Sequence, residues 1–321
     1  MGEESETATH DAEAARQFAQ HRQFLLGVAY RILGSMDDAE DTVQDAWLRW
    51  SGADTAEVQE PRAFLITVTS RLALDRLRRA RTRRESYIGP WLPQPLLTGP
   101  DVAEDVERAE SVSLALLVVL ETLSPLERTV FVLREAFGFA HAEIAAILDR
   151  DEAAVRQLAR RARAHVEERR PRFAADSAMQ ARVTERFLAA CMGGDLPALL
   201  GVLAPDVTLV ADSGGKALAP SRAILGNDRV ARFLETIASG PRAERFFTSV
   251  GVAPGTPFDI KFARVNGGPA IIAIAEGRVV TAILIDVADD AVQTVYLLAN
   301  PEKLARLLPN LTPSPANEHI P

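Results

Sequence analysis

The first part of the chain has apolar residues spaced at the period of an α-helix. Between Asp37 and Trp50 the apolar side chains recur three or four residues apart, and the acidic side chains occupy the opposite face. Pro61 opens a second stretch, running to Arg84, in which leucines form the apolar side and arginines the exposed side. This pattern predicts an all-helical domain over residues 12–85.

Residues 86–110 interrupt the helical pattern. They hold four prolines and two glycines at the start and a run of acids, Asp101 to Glu110, at the end. This composition predicts a linker. Tyr87, Trp91 and Leu92 are costly to leave in water, so the linker is more than a spacer.

Residues 111–172 are predicted to be helical again. Ser124, Pro125 and Glu127 combine an N-cap, a proline at the first helical position and a glutamate at the third. Further on, the helix HAEIAAIL is joined by the turn Asp149-Arg150 to a second, arginine-rich helix for which Asp151 is the expected N-cap. Two helices joined by so short a turn match the helix-turn-helix pattern.

From about residue 178 the pattern changes to two helices (178–192 and 195–203) followed by strands. The last three β-rich segments are separated by Glu276-Gly277 and Asp289-Asp290, which predicts an antiparallel meander. Asn300 is expected to cap a final helix with Pro301 at its first position. These features predict an α+β domain over 178–308 and a loose tail over 309–321.

Composition narrows the setting of the protein. The chain has 321 residues, 47% hydrophobic and 25% charged, which is typical of a globular protein with two or three domains. Cys191 is the single cysteine, the N-terminus is acidic, and the apolar runs are too short to span a bilayer. We therefore expect a cytoplasmic protein without a membrane segment.

Charge is distributed unevenly along the chain. The net charge is −8, yet residues 61–84 carry eight arginines against the single acid Asp75, a local charge of +7. A basic segment within an acidic chain indicates a localised contact with a polyanion.

The stretch DSGGK, Asp212 to Lys216, has the glycines and lysine of a phosphate-binding loop. A P-loop, however, requires Gly-x4-Gly-Lys-Ser/Thr. Val210 occupies the first glycine position and Ala217 the hydroxyl position, so a nucleotide site is not expected. The glycines instead allow a tight turn and a close approach to another surface.

Several of these segments resemble one known family. DDAEDTVQDAWLRW resembles the core-polymerase-binding helix of extracytoplasmic function (ECF) sigma factors, PRAFLITVTSRLALDRLRR is similar to their −10-reading helix, and residues 121–166 are similar to their −35-reading domain. WLPQP, DSGGK and NPEKL are similar to three signatures of the subgroup with a C-terminal SnoaL-like domain, the sigma factor J type. The resemblance implies two all-α sigma domains, regions 2 and 4, followed by a cone-shaped α+β domain of the nuclear transport factor 2-like fold.

The resemblance also assigns residues to surfaces. It implies that core RNA polymerase is bound by Glu40, Asp41, Gln44, Asp45, Trp47 and Leu48. It implies that the promoter −10 element is bound by Arg62, Arg71, Arg76, Arg78 and Arg79, with the loop Ser51 to Glu60 gripping an unstacked base. At the −35 element, Arg156, Gln157 and Arg160 are expected to reach base edges, and Arg161 and Arg163 to contact phosphates. The acidic run is expected either to thread a basic channel of the polymerase or to be a solvated loop.

Two positions depart from the family pattern. Asp149 stands where the helix-turn-helix often has glycine, and Leu158 where many relatives have a basic residue. The −35 sequence therefore cannot be inferred from relatives.

The three short motifs are expected to form a regulatory contact between domains. The residues assigned to it are Trp91, Leu92, Pro93, Pro95, Asp212, Gly214, Gly215, Lys216, Asn300, Pro301 and Lys303. Asp212 and Lys216 in particular are predicted to make polar contacts with the linker or the helical domains. The C-terminal domain would then regulate the sigma domains in cis, as a population shift.

Two other functions remain open from the sequence. A SnoaL-like domain could be a cyclase or isomerase, with Asp212, Asp259 or Asp286 as the base, although residues 173–318 contain no histidine. Alternatively, the chain could be a one-component helix-turn-helix regulator with a ligand-binding domain. The sequence favours a protein that is not an enzyme and needs no cofactor or metal, and it leaves open a small-molecule ligand in the C-terminal pocket.

Overall fold

A computed structural model describes residues 2–54, 58–98, 113–169, 177–238 and 240–307. The chain divides into two compact units. The first, unit 1, contains residues up to Glu85 and Leu116–Arg170, and the second, unit 2, contains Ser86–Gly99 and the chain from Pro171 onward. The acidic run 101–110, part of the loop 51–60 and the tail after residue 307 lie outside the described residues.

The first three helices of unit 1 are α1 (Gly2–Leu33), α2 (Met36–Ser51) and α3 (Pro61–Arg84). Ser35 caps α2 by accepting a hydrogen bond from the Asp38 N–H at 3.3 Å. The apolar stripe of α2 is buried as its spacing predicts, and Trp50 at its end is fully enclosed. The Trp50 indole N–H donates to the Ala14 carbonyl at 2.9 Å, which ties α2 to α1.

The remaining helices of unit 1 are α4 (Leu114–Leu120), α5 (Pro125–Phe131), α6 (His141–Leu148) and α7 (Glu152–Arg169). A π-helical turn, Val132–Ala136, extends α5. The predicted capping box is present, since the Ser124 hydroxyl accepts from the Glu127 N–H and the Glu127 carboxylate accepts from the Ser124 N–H. The helical prediction for this part of the chain is therefore confirmed.

The first helices of unit 2 are α8 (Ser177–Gly193) and α9 (Leu196–Val202), close to the predicted bounds. Strand β1 (Leu203–Asp212) follows, then the short β2 (Ile224–Leu225), α10 (Asn227–Ala238) and α11 (Gly240–Ser249). Helices α10 and α11 were not predicted, although Val230, Ala231 and Leu234 of α10 recur at helical spacing and form its buried side.

The sheet is completed by β3 (Phe258–Val265), β4 (Gly268–Ala275), β5 (Arg278–Ala288) and β6 (Ala291–Leu298), in the order β2-β1-β6-β5-β4-β3. The predicted meander β4–β6 is confirmed, and its turns place Glu276, Asp289 and Asp290 at positive φ. The last strand, β6, pairs in parallel with the first strand, β1. Helices before an open sheet give the predicted α+β fold.

The core of unit 2 lies between one sheet face and the helices. Val183 and Phe187 of α8 pack with Val230 and Leu234 of α10 against residues of β1, β5 and β6. Asn300 caps α12 (Pro301–Leu304) by accepting from the Glu302 N–H at 3.1 Å, and a 3₁₀ turn, Ala305–Leu307, ends the described chain. None of the helices in the described part of the chain has both the length and the apolar character needed to cross a bilayer.

Candidate functional site

The acidic face of α2 holds the residues predicted to bind polymerase. Its exposed or half-buried side chains are Glu40, Asp41, Gln44, Asp45, Trp47 and Leu48. Leu48 is 61% exposed, although it is a large apolar residue. Trp47 packs edge-on against the Phe18 ring, with 5.1 Å between ring centroids, so part of its surface is structural. The face therefore combines carboxylates with an uncovered leucine, which is suited to a protein partner.

Arg76 of α3, predicted to bind the −10 element, is turned toward this acidic face. Its guanidinium donates to the carboxylate of Asp45 at 2.6 Å and to that of Asp41 at 3.2 Å. Desolvation lowers the Arg76 pKa, but the hydrogen bonds and charges of the two carboxylates outweigh it and leave the pKa raised. Arg76 therefore orients two of the residues predicted to bind polymerase.

The other predicted −10 arginines have different surroundings. Arg62 lies over the Phe24 ring, with 5.0 Å from Cζ to the centroid, and Arg78 pairs with Asp75 at 3.0 Å. Arg71 donates to the Ile147 carbonyl at 2.6 Å and the Ala146 carbonyl at 3.2 Å, at the C-terminal end of α6. Arg79 is exposed. The basic face of α3 thus has mixed roles within unit 1.

A buried ion cluster joins α3 to the helices after the linker. Glu121 accepts from both Arg84 and Arg128, and its side chain is 17% exposed while that of Arg128 is 1% exposed. Arg128 also donates twice to the Arg31 carbonyl at 3.2 Å, and Arg84 donates to the Leu33 carbonyl at 2.9 Å, so the pair caps the end of α1. Desolvation lowers the pKa of Arg84. We call Arg84, Glu121 and Arg128 the Glu121 cluster.

The second helix of the predicted helix-turn-helix, α7, presents the residues predicted to bind the −35 element. Arg156, Gln157, Arg160, Arg161 and Arg163 are all exposed. Arg161 is 3.4 Å from the Glu127 carboxylate and Arg163 is 3.3 Å from that of Glu135, so both have an acidic partner in the preceding helices. Arg156 pairs along its own helix with Glu152 at 2.5 Å.

The structure explains both departures from the family pattern. Asp149 ends α6 in the left-handed conformation, φ 52° and ψ 61°, which glycine adopts at lower cost. Leu158 is buried with Val155 and Ala162 on the inner side of α7. A basic residue there would have to be desolvated, so in this chain position 158 serves the core and not DNA.

In unit 2, the three short motifs meet at a buried carboxylate. Asp212, at the end of β1, has no exposed surface and accepts four hydrogen bonds. The donors are the Tyr87 hydroxyl at 2.6 Å, the Leu92 N–H at 2.7 Å, the Lys303 ammonium at 2.6 Å and the Gly214 N–H at 3.2 Å. Two of the four donors belong to the linker.

Lys303 is the cationic member of this cluster. Its ammonium also donates to the Leu92 carbonyl, and it lies 3.9 Å from the centroid of the Trp91 ring. The Asn300 side-chain amide donates to the Tyr87 oxygen at 2.9 Å, which leaves that hydroxyl to donate to Asp212. Burial, and then the bond to Asp212, raises the pKa of Tyr87. Tyr87, Leu92, Asp212, Asn300 and Lys303 form what we call the Asp212 cluster.

The two glycines of DSGGK allow the linker to approach. Gly214 has φ +58°, and a Cβ atom there would lie 2.8 Å from the Asn300 amide nitrogen and 3.0 Å from the Tyr87 oxygen. Gly215 has φ +73°, and its Cβ would lie 2.9 Å from Ile88. Any side chain at either position would therefore collide with the cluster or the linker.

Lys216 differs from the expectation that it contacts the linker or the helical domains. Its ammonium pairs with Glu302 of α12 in an exposed ion pair. The turn at Gly214-Gly215 directs Lys216 outward, while Lys303 enters the cluster from α12. Because exposed ion pairs contribute little to stability, Lys303 and not Lys216 is the lysine that holds the linker in place.

The described linker residues after Leu92 also contact other parts of unit 2. Pro93 and Pro95 are buried, and Leu97 forms an antiparallel bridge with Val265 at the end of β3. The Thr98 N–H donates to the Arg264 carbonyl at 2.8 Å, and the Asn266 N–H donates to the Leu96 carbonyl at 2.8 Å. Sequence reasoning did not identify this edge contact, because residues 96–98 have no alternating pattern of their own.

The carboxylates considered for catalysis do not form one site. Asp212 is saturated by its four donors, Asp259 is exposed on β3, and Asp286 is half-buried in β5, where burial raises its pKa. Across the described residues, no three histidine, cysteine, aspartate or glutamate side chains are grouped so as to hold a metal ion.

The helical surfaces and the appended sheet define a sigma-70-type factor, and comparisons with known proteins agree. Sigma-70 region 2 matches residues 17–83, and Sigma-70 region 4 matches residues 113–166. The chain belongs to the ECF RNA polymerase sigma factors, since members of that family are 33–46% identical to it over more than two thirds of both chains.

Particular relatives resemble most of the chain. The ECF RNA polymerase sigma factor SigJ of Mycobacterium tuberculosis is 46% identical over 222 residues, covering 68% of this chain and 71% of the relative. The probable ECF sigma factor SigI of the same species is 33% identical over 299 residues, covering 92% and 96%. The crystal structure of SigJ matches with a TM-score of 0.70 at 37% identity, covering 90% of this chain and 97% of that one.

Proposed function

We propose that this chain binds core RNA polymerase through the acidic face of α2, recognises a promoter through α3 and α7, and is controlled in cis by unit 2. Family membership and the exposed arginines of α7 support the first part, which is polymerase binding and promoter recognition. The binding of the linker to Asp212 is the observation that carries the second part.

Promoter binding by α7 would combine base readout with phosphate contacts. Arg156, Gln157 and Arg160 project from one exposed side near the start of the helix, where a recognition helix reads base edges. Each arginine that neutralises a phosphate releases counterions, so the affinity for DNA should fall steeply as salt increases.

Control in cis would act through the length of free chain between regions 2 and 4. Residues 86–98 are the first part of the segment that connects α3 to α4. In unit 2 these residues are held by the Asp212 cluster and by the edge of β3. Freed, these residues could extend by roughly 45 Å, at about 3.4 Å per residue. The −10 and −35 elements are separate sites on the duplex, so the helices that read them must be able to move apart along it. Release of the linker would therefore ease simultaneous contact with both elements.

A transcription assay tests the first part. The full chain with core polymerase is expected to yield transcripts starting at a fixed distance from promoters in its own upstream region, whereas core polymerase alone yields none. If the chain bound that DNA unaided but never directed core polymerase to it, the chain would be a one-component regulator and the sigma function would be refuted.

A point variant tests the second part. Lys303→Met removes the charge that bridges Asp212 and the Leu92 carbonyl, and is expected to raise transcript yield several-fold by freeing the linker. Arg232→Met is the matched control, because Arg232 forms an exposed ion pair on α10, outside the cluster. Equal yields from Lys303→Met, Arg232→Met and wild type would refute control in cis. A lower yield from Lys303→Met would refute the argument from chain length and indicate that the bound linker assists initiation.

A further inference from the structure

Strand β3 lies at the outer edge of the sheet. On one side it pairs with β4 along its whole length, from Phe258 opposite Ala275 to Val265 opposite Gly268. On the other side, the described residues supply only the short linker contact at Arg264 to Asn266. An uncovered edge strand is a template for pairing with another strand.

The linker contact shows which backbone groups of β3 point outward. The Arg264 carbonyl and the Asn266 N–H both bond to the linker, so the even-numbered residues carry the outward groups. Pro269, opposite Arg264, has no N–H to offer, in agreement with this alternation. Phe258, Ile260 and Phe262 therefore present their N–H and C=O groups along the part of the edge that no described residue covers.

The exposed part of β3 has the sequence FDIKF, Phe258 to Phe262, which is complementary to itself when reversed. In an antiparallel pair centred on Ile260, Phe258 faces Phe262 of the second strand and Asp259 faces Lys261, each pair occurring twice. Directly opposite side chains are about 5 Å apart, so both charge pairs and both aromatic pairs would be in contact. Moving the centre to Asp259 or Lys261 would instead place like charges opposite one another.

The side chains are available for such a contact. Phe258 is 40% exposed and Phe262 is 45% exposed, unusually high for phenylalanine. Phe258 is held in place by stacking on Phe247, with 4.9 Å between ring centroids. Asp259 is exposed and Lys261 half-buried on the other face of the strand.

We propose that β3 forms the contact between two copies of this chain, paired antiparallel about a two-fold axis at Ile260. The occupant of the edge is a second copy because the complementarity is of FDIKF with itself, as an isologous interface requires. The contact spans few residues, so the dimer is weak and its population depends on concentration. This inference is independent of promoter recognition and of control in cis.

Sedimentation equilibrium of the full chain over a range of concentrations tests the proposal. The wild-type mass is expected to rise from 34.9 kDa toward twice that value as concentration increases. Lys261→Asp and Asp259→Lys each place like charges opposite one another and should each shift the dissociation constant at least tenfold toward monomer. An equimolar mixture of these two variants should form a heterodimer, because the charges are complementary again, and so should the doubly exchanged chain with itself.

Asp206→Lys is the control for Asp259→Lys, since it makes the same change of charge at an exposed site on β1. Circular dichroism establishes that each variant is folded. A wild-type mass of 34.9 kDa at every concentration would overturn the proposal, whether another segment or none covers the edge. Single variants that dimerise as well as wild type would overturn it too, as would failure of the mixture and of the exchanged chain to recover dimerisation.

Discussion

The substitution Asp212→Ala should detach the linker from unit 2. It leaves the Lys303 ammonium, in a side chain only 11% exposed, without its carboxylate, and it deprives the Tyr87 hydroxyl and the Leu92 N–H of their acceptor. Breaking a buried ion pair on one side costs about 3–5 kcal/mol. Since about 1.4 kcal/mol is a factor of ten, linker amides should exchange on the order of 10²–10⁴ times faster.

Hydrogen exchange of the Thr98 amide measures this effect at a group that the substitution does not touch directly. Thr98 bonds to the Arg264 carbonyl and has no contact with Asp212, so its exchange reports release of the whole linker. Asp206→Asn is the control, because Asp206 is exposed on the same strand. If Thr98 exchanged at the wild-type rate in the Asp212→Ala protein, the cluster would not hold the linker, and the argument for control in cis would lose its basis.

Three further outcomes are expected. Glu121→Gln leaves two arginines of unit 1 without their shared carboxylate and should lower the free energy of unfolding by about 2–4 kcal/mol in urea titrations, while Glu152→Gln on the exposed side of α7 should change it by less than about 0.5 kcal/mol. Gly214→Ala should destabilise unit 2 by about 1–3 kcal/mol more than Gly255→Ala. Both glycines have positive φ, but only at Gly214 would the added Cβ meet close neighbours. Equal losses of stability would show that the contact between this Cβ and its neighbours is relieved at no cost. Burial raises the Asp286 pKa above its unfolded value near 3.8, so the ionised carboxylate destabilises the native state at neutral pH. Asp286→Asn should therefore stabilise unit 2 at pH 7, and this gain in stability should shrink as the pH falls through the native and then the unfolded pKa. A gain in stability that did not depend on pH would refute burial of the charge as its cause.

Local signals in the sequence predicted the elements that local chemistry determines. The capping box at Ser124, the cap at Asn300 and the turns at Glu276 and Asp289 each require particular residues at fixed spacing, and each is present in the structure. Strand β3 was not predicted. Its FDIKF segment alternates apolar and charged residues, as a half-buried strand does, but the alternation covers only five residues and breaks at Ala263, and pairing with β4 extends the strand to Val265.

The candidate site likewise has features that local sequence predicts and features that only tertiary packing determines. The three motifs were linked through their resemblance to signatures of one subgroup of sigma factors, and the glycines of DSGGK and the prolines of WLPQP are suited to the tight turn and rigid contact that such a link needs. Which lysine would be buried could not be predicted, because Lys216 and Lys303 differ in direction and not in type. That direction follows from the left-handed turn at Gly214-Gly215 and from the position of α12, both set by tertiary packing.

The charge of +7 over residues 61–84 overstates the surface of α3 that is available to DNA. Arg76 is neutralised by Asp41 and Asp45, and Arg84 by Glu121. Arg71 already donates two hydrogen bonds to the carbonyls at the end of α6, so it has fewer donors left for a promoter than a free arginine has. The dependence of DNA affinity on salt should consequently reflect fewer phosphates than the arginine count of α3 implies, because arginines already paired with carboxylates release no counterions.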